Sequence, residues 1–207
     1  MIDLPSAILS ATLSAYWSGV AITAVVNRCR YGRSAGLWPS NRIERLIWPI
    51  WVPLIALWIA LPWLALSRGH GWLGMAESAH NYAGWNAVRL FAALLAFACF
   101  AATVVCWIRL GRNWSMAVVP GQKTELVRAG PYSLVRHPIY ALSIALMLCS
   151  VAVIPSLPML VLALLHLPFM GIKARSEERF LRNLHGDSYA NYCRRTGRFF
   201  PRLIAAN

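Results

Sequence analysis

Apolar residues run along this chain in long unbroken blocks, not in the alternating or one-faced patterns of a water-soluble domain. Leu4 to Val26 carries no charge, and neither does Leu46 to Leu66, which holds Trp48, Trp51, Trp58 and Trp63. Leu90 to Ile108 is a third such run. From Pro138 to Ile172 there is no charge apart from the ordinarily neutral His166, but "IPSLP" at 154–158 interrupts the run, because paired prolines cannot continue a regular helix. A helix needs about 20 mostly apolar residues to cross a bilayer. The pattern therefore predicts an all-α, polytopic membrane bundle of about five transmembrane helices, spanning about 4–26, 46–66, 89–108, 138–154 and 158–172. All 207 residues then form one integral-membrane domain, and Lys173 to Leu184 reads as a helix leaving the membrane into a cytosolic helical tail. There Phe180, Leu181 and Leu184 share a face, and Glu178 precedes Arg182 at the favourable i,i+4 spacing.

Composition agrees: 58% of residues are hydrophobic and 13% charged, too apolar a balance for an ordinary soluble domain. The net charge of +13 changes meaning once it is placed on the chain. Five cations lie between Arg28 and Arg45, five between Arg109 and Arg136, and eight between Lys173 and Arg202, leaving only Arg68 and Arg89 outside. Five spans put all three blocks on one side, the positive-inside pattern, with the N-terminus outside and the C-terminus cytosolic. Topology accounts for the charge without nucleic acid, and some of these residues can also meet anionic lipid headgroups. The positive charges follow the first apolar run, the reverse of a cleaved signal peptide. Cys99, Cys106 and Cys149 sit inside spans as small apolar fillers, and the five cysteines contain no CxxC.

Polar chemistry gathers on the inner side. The first basic loop, "NRCRYGRSAGLWPSNRIER", reads as a solvated, lipid-facing connector. On the outer side "GHGWLG" (69–74) is a formal GxGxxG, but it follows an apolar helix, whereas the dinucleotide fingerprint needs a strand before it; no Rossmann unit is expected. The densest polar stretch is "RAGPYSLVRHPIYAL" (128–142). Proline in the first turn of a helix needs no N–H partner, so "VRHP" places Arg136 and His137 at the mouth of the fourth span, with Tyr140 one turn deeper. Singly, Arg136 reads as a snorkelling anchor and His137 as an interfacial histidine bonded to backbone. Together with Tyr132, Glu177, Glu178, Tyr189, Tyr192 and Arg195 they read as the lining of a pocket, because ionisable groups at a membrane boundary are costly and usually functional. His166, mid-span, is expected to be a packed bundle histidine.

"GPYSLVRHPIY", then "EERFLRNLHGDSYANYCRR" and "FFP", resembles the integral-membrane methyltransferases of the isoprenylcysteine carboxyl methyltransferase family, and part of the pattern is shared with phospholipid N-methyltransferases. The resemblance rests on Gly130, Tyr132, Arg136, His137, Pro138, Tyr140, Glu177, Glu178, Leu181, Gly186, Tyr189, Tyr192 and Pro201, and "LGRNWS" (110–115) also resembles bacterial members. Leu142 departs from the pattern, where a small residue is usual, and bears on the pocket's shape. The first two spans carry no motif. The resemblance implies S-adenosyl-L-methionine as methyl donor, bound by Tyr132, Val135, His137, Pro138, Tyr140, Glu177, Glu178 and Tyr189. It implies a lipophilic small-molecule or lipid acceptor entering from the bilayer, with carboxyl O-methylation the first reading. An ionised carboxylate needs orientation and no base; Arg195 is the first choice for that role, through its alignment, and Arg136 the second. No metal is expected. An arginine-over-lysine, alanine-rich composition points to a bacterial inner membrane. Three other readings stay open: amine or phospholipid N-methylation with His137 or a glutamate as base, an NADPH-dependent sterol-reductase-like enzyme, and a non-enzymatic membrane scaffold.

Overall fold

The computed structural model describes residues 2–39, 42–69, 71–73, 83–122 and 124–202. The helices are α1 (Leu4–Tyr31), α2 (Arg42–Arg68), α3 (Ala83–Leu110), the single turn α4 (Pro131–Leu134), α5 (Pro138–Val153), α6 (Leu157–His185) and α7 (Asp187–Arg195). There is no strand among the described residues; a single parallel bridge joins Val135 to Gly197. Proline opens α1, α4, α5 and α6 in the first turn, where its missing N–H costs nothing. The expected break at 154–158 is real: Val153 ends α5, and the Ser156 side chain caps α6 by accepting from the Met159 amide at 3.4 Å.

Helices α1, α2, α3 and α6 are long and apolar enough to cross a membrane. The fourth expected span is shorter. Helix α5 has 16 residues, so it extends about 24 Å against a hydrocarbon core of about 30 Å. The fifth is longer than expected, since α6 runs 29 residues without interruption from the turn into the basic tail, through Pro168. The "GHGWLG" stretch lies partly outside the described residues.

These helices expose many large apolar side chains and bury small and polar ones among the larger residues of the core. On α3, Phe91, Leu94, Phe97 and Ile108 are exposed, while Ala92, Ala93, Ala96, Cys99 and Thr103 are buried. On α1 the buried face includes Ser6, Leu9, Ser10 and Leu13. In lipid there is no hydrophobic gain in burying Leu against Leu, so close packing of small residues holds helices together.

Each end of the bundle is tied by polar groups. At the N-terminal end of α1 Arg89, fully buried, donates from Nη1 and Nη2 to the Asp3 carboxylate at 3.0 and 2.6 Å and from Nε to the Val153 carbonyl at 2.8 Å. One guanidinium thus joins the starts of α1 and α3 to the end of α5. At the opposite end the Asn27 amide donates to the Trp114 carbonyl at 2.8 Å, and the Met116 amide donates to the Ala35 carbonyl at 2.8 Å. Glu44 is buried and accepts from the Ser176 hydroxyl. Gly36 has φ +63°, and a Cβ there would sit 2.4 Å from the Ala117 carbonyl oxygen, so only glycine permits this approach. These contacts correct the reading of the first basic loop as a merely solvated connector: its start and middle pack on the segment after α3, and its end on α6.

Arg89→Met leaves Asp3 and the Val153 carbonyl without their partner. A cost of about 3 kcal/mol is expected from breaking a buried pair. It should appear as a drop in the melting temperature of the detergent-solubilised protein, smaller than that of Asp3→Ala, which takes the counter-charge from the fully buried Arg89, whereas the Asp3 side chain is 24% exposed. Equal, small shifts would show that this tie does not hold the bundle.

Candidate active site

Three segments meet where α6 leaves the apolar layer: residues 111–140, the polar half of α6, and α7 with the strand-like stretch that follows it. Their meeting is organised by backbone first. The Arg136 amide donates to the Gly197 carbonyl at 2.9 Å, and the His137 amide to the Arg198 carbonyl at 3.1 Å. The chain then doubles back so closely that a Cβ on Gly197 would lie 1.7 Å from the Phe200 carbonyl oxygen. The Tyr192 hydroxyl donates to the Tyr132 carbonyl at 2.5 Å, fixing α7 to α4.

Glu178 sits at the centre. Its Oε1 accepts from Arg136 Nε and Nη2 at 3.2 and 3.1 Å and from Arg198 Nε at 2.9 Å; its Oε2 accepts from Arg198 Nη2 at 2.5 Å. His137 Nε2 stands 3.4 Å from the same carboxylate, and its Nδ1 stands 3.5 Å from Glu177 Oε2. The Tyr140 hydroxyl donates to the other oxygen of Glu177. The His137 ring stacks on Tyr140 with centroids 5.5 Å apart and 7° between planes, and meets Phe199 edge-on. Arg136 Nη1 completes the set by donating to the Cys193 and Thr196 carbonyls.

Electrostatics follow from this arrangement. Burial opposes a charge on His137, yet the neighbouring carboxylates of Glu177 and Glu178 outweigh it and hold its pKa above the ordinary 6.5. Burial pushes the Tyr192 hydroxyl up to about 12 and raises Tyr132 and Tyr189 as well. These phenols remain neutral hydrogen-bond donors.

A cavity of about 190 Å³ opens beside this network. Its polar end is lined by Tyr132, Arg136, His137, Glu177, Tyr189 and Tyr192, together with Asn113, Gln122, Thr124 and Glu125 from the loop after α3. Its deep end runs between helices, past Trp17 and Val20 of α1, Trp51 of α2, Trp107 of α3 and Met170 of α6. Several buried polar atoms on this wall lack a hydrogen-bond partner among the described residues: Tyr132 Oη, Tyr189 Oη, Gln122 Nε2 and Thr124 Oγ1. Buried polar atoms are normally bonded, so a wall with four of them suits a ligand rich in polar groups.

Of the expected cofactor residues, Tyr132, His137, Pro138, Tyr140, Glu177 and Tyr189 line the cavity. Val135 and Glu178 stand behind the wall, Val135 carrying the bridge to Gly197 and Glu178 the arginines. Arg136 lines the cavity, but most of its donors are committed to Glu178 and two carbonyls. Arg195 is exposed and does not line it. Helical phase gives the reason: at 100° per residue Arg195 lies about 120° around α7 from buried Tyr189. His166 is less isolated than expected. Its Nε2 is 3.0 Å from the Ser143 hydroxyl, and Ser143 lines the deep end. The aromatic wall from α1, α2 and α3 was not anticipated either. The only hint in the sequence is the density of Trp and Tyr in runs that otherwise carry no polar groups. Lys173, counted among the tail cations, is buried on the cavity wall.

Residues 90–183 match the sequence model of the isoprenylcysteine carboxyl methyltransferase family, a segment that includes the RHPxY and Glu-Glu motifs and stops before the tail tyrosines. Two curated relatives are similar to parts of the chain. The cobalt-zinc-cadmium resistance protein CzcN of Cupriavidus metallidurans is 41% identical over 96 residues, 45% of this chain and 44% of that protein. The nickel-cobalt-cadmium resistance protein NccN of Alcaligenes xylosoxydans xylosoxydans is 34% identical over 126 residues, 59% and 57% of the two chains. The matches thus span about half the length of these relatives. No solved structure matches the chain.

The raised pKa of His137 fixes the sign of a pH effect. A protonated imidazole favoured by folding contributes stability in full below about pH 6.5 and loses it as pH rises through the higher folded value. Melting temperature should therefore fall across that interval in the parent protein and stay flat in His137→Gln. A parallel decline in both would assign the effect to another group.

Proposed function

We propose that this chain, isoprenylcysteine carboxyl methyltransferase-like over residues 90–183, is an S-adenosylmethionine-dependent methyltransferase acting on a lipophilic acceptor at the membrane–cytosol boundary. One observation carries the reading: a single cavity joins a polar end, with orphaned donors and acceptors, to an aromatic end between helices. A water-soluble cofactor and a lipid-soluble acceptor need such a junction. The family match supports the reaction class, and the first choice of reaction is carboxyl O-methylation.

The residues present fit the cofactor's chemistry. Glu177, half-buried with one oxygen on Tyr140 and the other facing His137, is placed to hold an ammonium. The faces of Tyr132, Tyr140 and Tyr189 suit a sulfonium. The unpartnered Gln122 and Thr124 side chains suit hydroxyls or ring nitrogens. Bound there, S-adenosylmethionine would supply an electrophilic methyl group and leave as a neutral thioether. The chain's part is alignment, since in-line transfer depends on holding the reacting groups on one axis. Glu178 serves by fixing Arg136 and His137. Val135 and Pro138 serve by fixing the turn into α5. Arg195, carried over from the resemblance as an orienting residue, has no support from its exposed place on α7.

A second reading has one favouring observation. His137 beside Glu177 could accept a proton from an ammonium acceptor, as N-methylation requires. The relatives' names concern metal resistance; among the described residues no three His, Cys, Asp or Glu side chains form a metal-holding group, and we carry over the methyltransferase reading alone. The three basic blocks on the inner side would face the cytosol, with the N-terminus outside, in an inner membrane.

Calorimetry with the purified full chain tests the cofactor. The parent should bind S-adenosylmethionine, and Glu177→Gln should weaken it by about tenfold or more, the value of one charge-assisted bond. A parent that binds none sinks the reading. Orientation is testable with the exposed Cys29 as sole cysteine, which should be labelled from the cytosolic side of sealed vesicles and protected from the outer side. Labelling from the outer side alone would invert the topology.

A further inference from the structure

Among the described residues one arginine and one lysine line the cavity, Arg136 and Lys173, and they differ in what they have left to give. Arg136 directs Nε and Nη2 at Glu178 and Nη1 at two carbonyls. Lys173 places its Nζ 2.5 Å from the Met116 carbonyl, and no second acceptor for it is found among the described residues. An ammonium has three donors. Two therefore remain, on a side chain that is 5% exposed.

Burial lowers the Lys173 pKa from its ordinary value, and its other neighbours partly offset this without using those donors. Nζ lies 5.2 and 5.1 Å from the ring centroids of Trp48 and Trp51, the cation–π range. The carboxylates of Glu177 and Glu44 bear on it from α6 and α2 without a hydrogen bond. Glu44 accepts from Ser176 on Oε1 while its Oε2 has no hydrogen-bond partner among the described residues, and Glu177 accepts from Tyr140. A lysine this far from water, with two donors unspent on the cavity wall, can take a further acceptor from a ligand. Trp51, which shares the cavity wall, belongs to the aromatic deep end and not to the polar mouth. An anion reaching Lys173 would thus have an apolar body lying against Trp51 and Met170.

We infer that Lys173 is the positioning residue for an anionic headgroup on the lipophilic acceptor, a carboxylate attached to a long apolar tail. This rests on the methyltransferase reading for its place in the reaction, but not for its binding chemistry. Arg195 does not line the cavity, and the donors of Arg136 are directed at protein carbonyls and Glu178. Because an ammonium is a point charge and not a planar fork, it would hold one carboxylate oxygen and leave the other free to react.

The test uses binding and not turnover. Purified full chain in detergent is titrated with labelled palmitate and, separately, hexadecanol, which share a tail and differ in charge. The parent should prefer palmitate by about tenfold or more, the discrimination expected of a charge-assisted bond. Lys173→Met should bring the two within about twofold. Lys173→Gln, which keeps an N–H for the Met116 carbonyl, should do the same and guards against misfolding of the first variant. Absence of the preference in the parent overturns the inference, and so does its survival in Lys173→Gln. Calorimetry with S-adenosylmethionine on the same parent sample separates the two ideas. A parent that prefers palmitate yet binds no cofactor supports the lysine's role and sinks the methyltransferase reading.

Discussion

One buried carboxylate, Glu178, holds the inner face of this protein together. It accepts from two guanidiniums, Arg136 and Arg198, and neighbours the His137 imidazole. These partners come from the turn before α5 and from the segment after α7, neither of which is near α6 in sequence. A carboxylate at this depth is tolerable only when its lone pairs are met, and two arginine forks meet them. Because Arg136 and His137 face the cavity from the other side, the same pairing that compensates the buried charge sets the cavity's polar wall. The backbone bridge from Arg136 and His137 to Gly197 and Arg198 repeats the tie in a form that side-chain exchange cannot remove.

A second constraint is the boundary between hydrocarbon and water. Helix α6 crosses it, with Met170 in an aromatic cluster, Lys173 just beyond, and Glu177 and Glu178 one turn further. Polar groups from α1 and α2, Asn27 and Glu44, are buried at that end of the bundle and bonded to the loop after α3 and to α6. The loops between spans are therefore structural parts of the site. They close a cavity whose deep wall is built from helices that carry no motif.

Much of the architecture was legible from hydropathy alone. The apolar runs gave the helices, the proline pair gave the turn at 154–158, and the spacing of cations gave a common end of the bundle. The motif residues Tyr132, His137, Tyr140, Glu177 and Tyr189 all line one cavity. Three particulars were not legible. Arg89 looked like a stray charge in an apolar run, and its meaning depends on Asp3 and Val153, at distant points in the chain. His166 looked solitary because Ser143, its partner, lies on another helix. Arg195 and Lys173 looked alike as tail cations, yet one is exposed and the other buried.

What the sequence by itself determined, then, is what local hydropathy and spacing can encode: which segments are apolar helices, where the proline pair breaks them, and that the cations gather at one end. Those properties follow from transfer free energy and backbone geometry, residue by residue. The tertiary structure alone decided which cation faces the cavity and which faces water. Each residue turns a helix by about 100°, so the direction of a side chain is set by how that helix is rotated against its neighbours. That rotation is fixed by contacts from remote segments: Met116 and the two tryptophans around Lys173, and Tyr132 beneath α7.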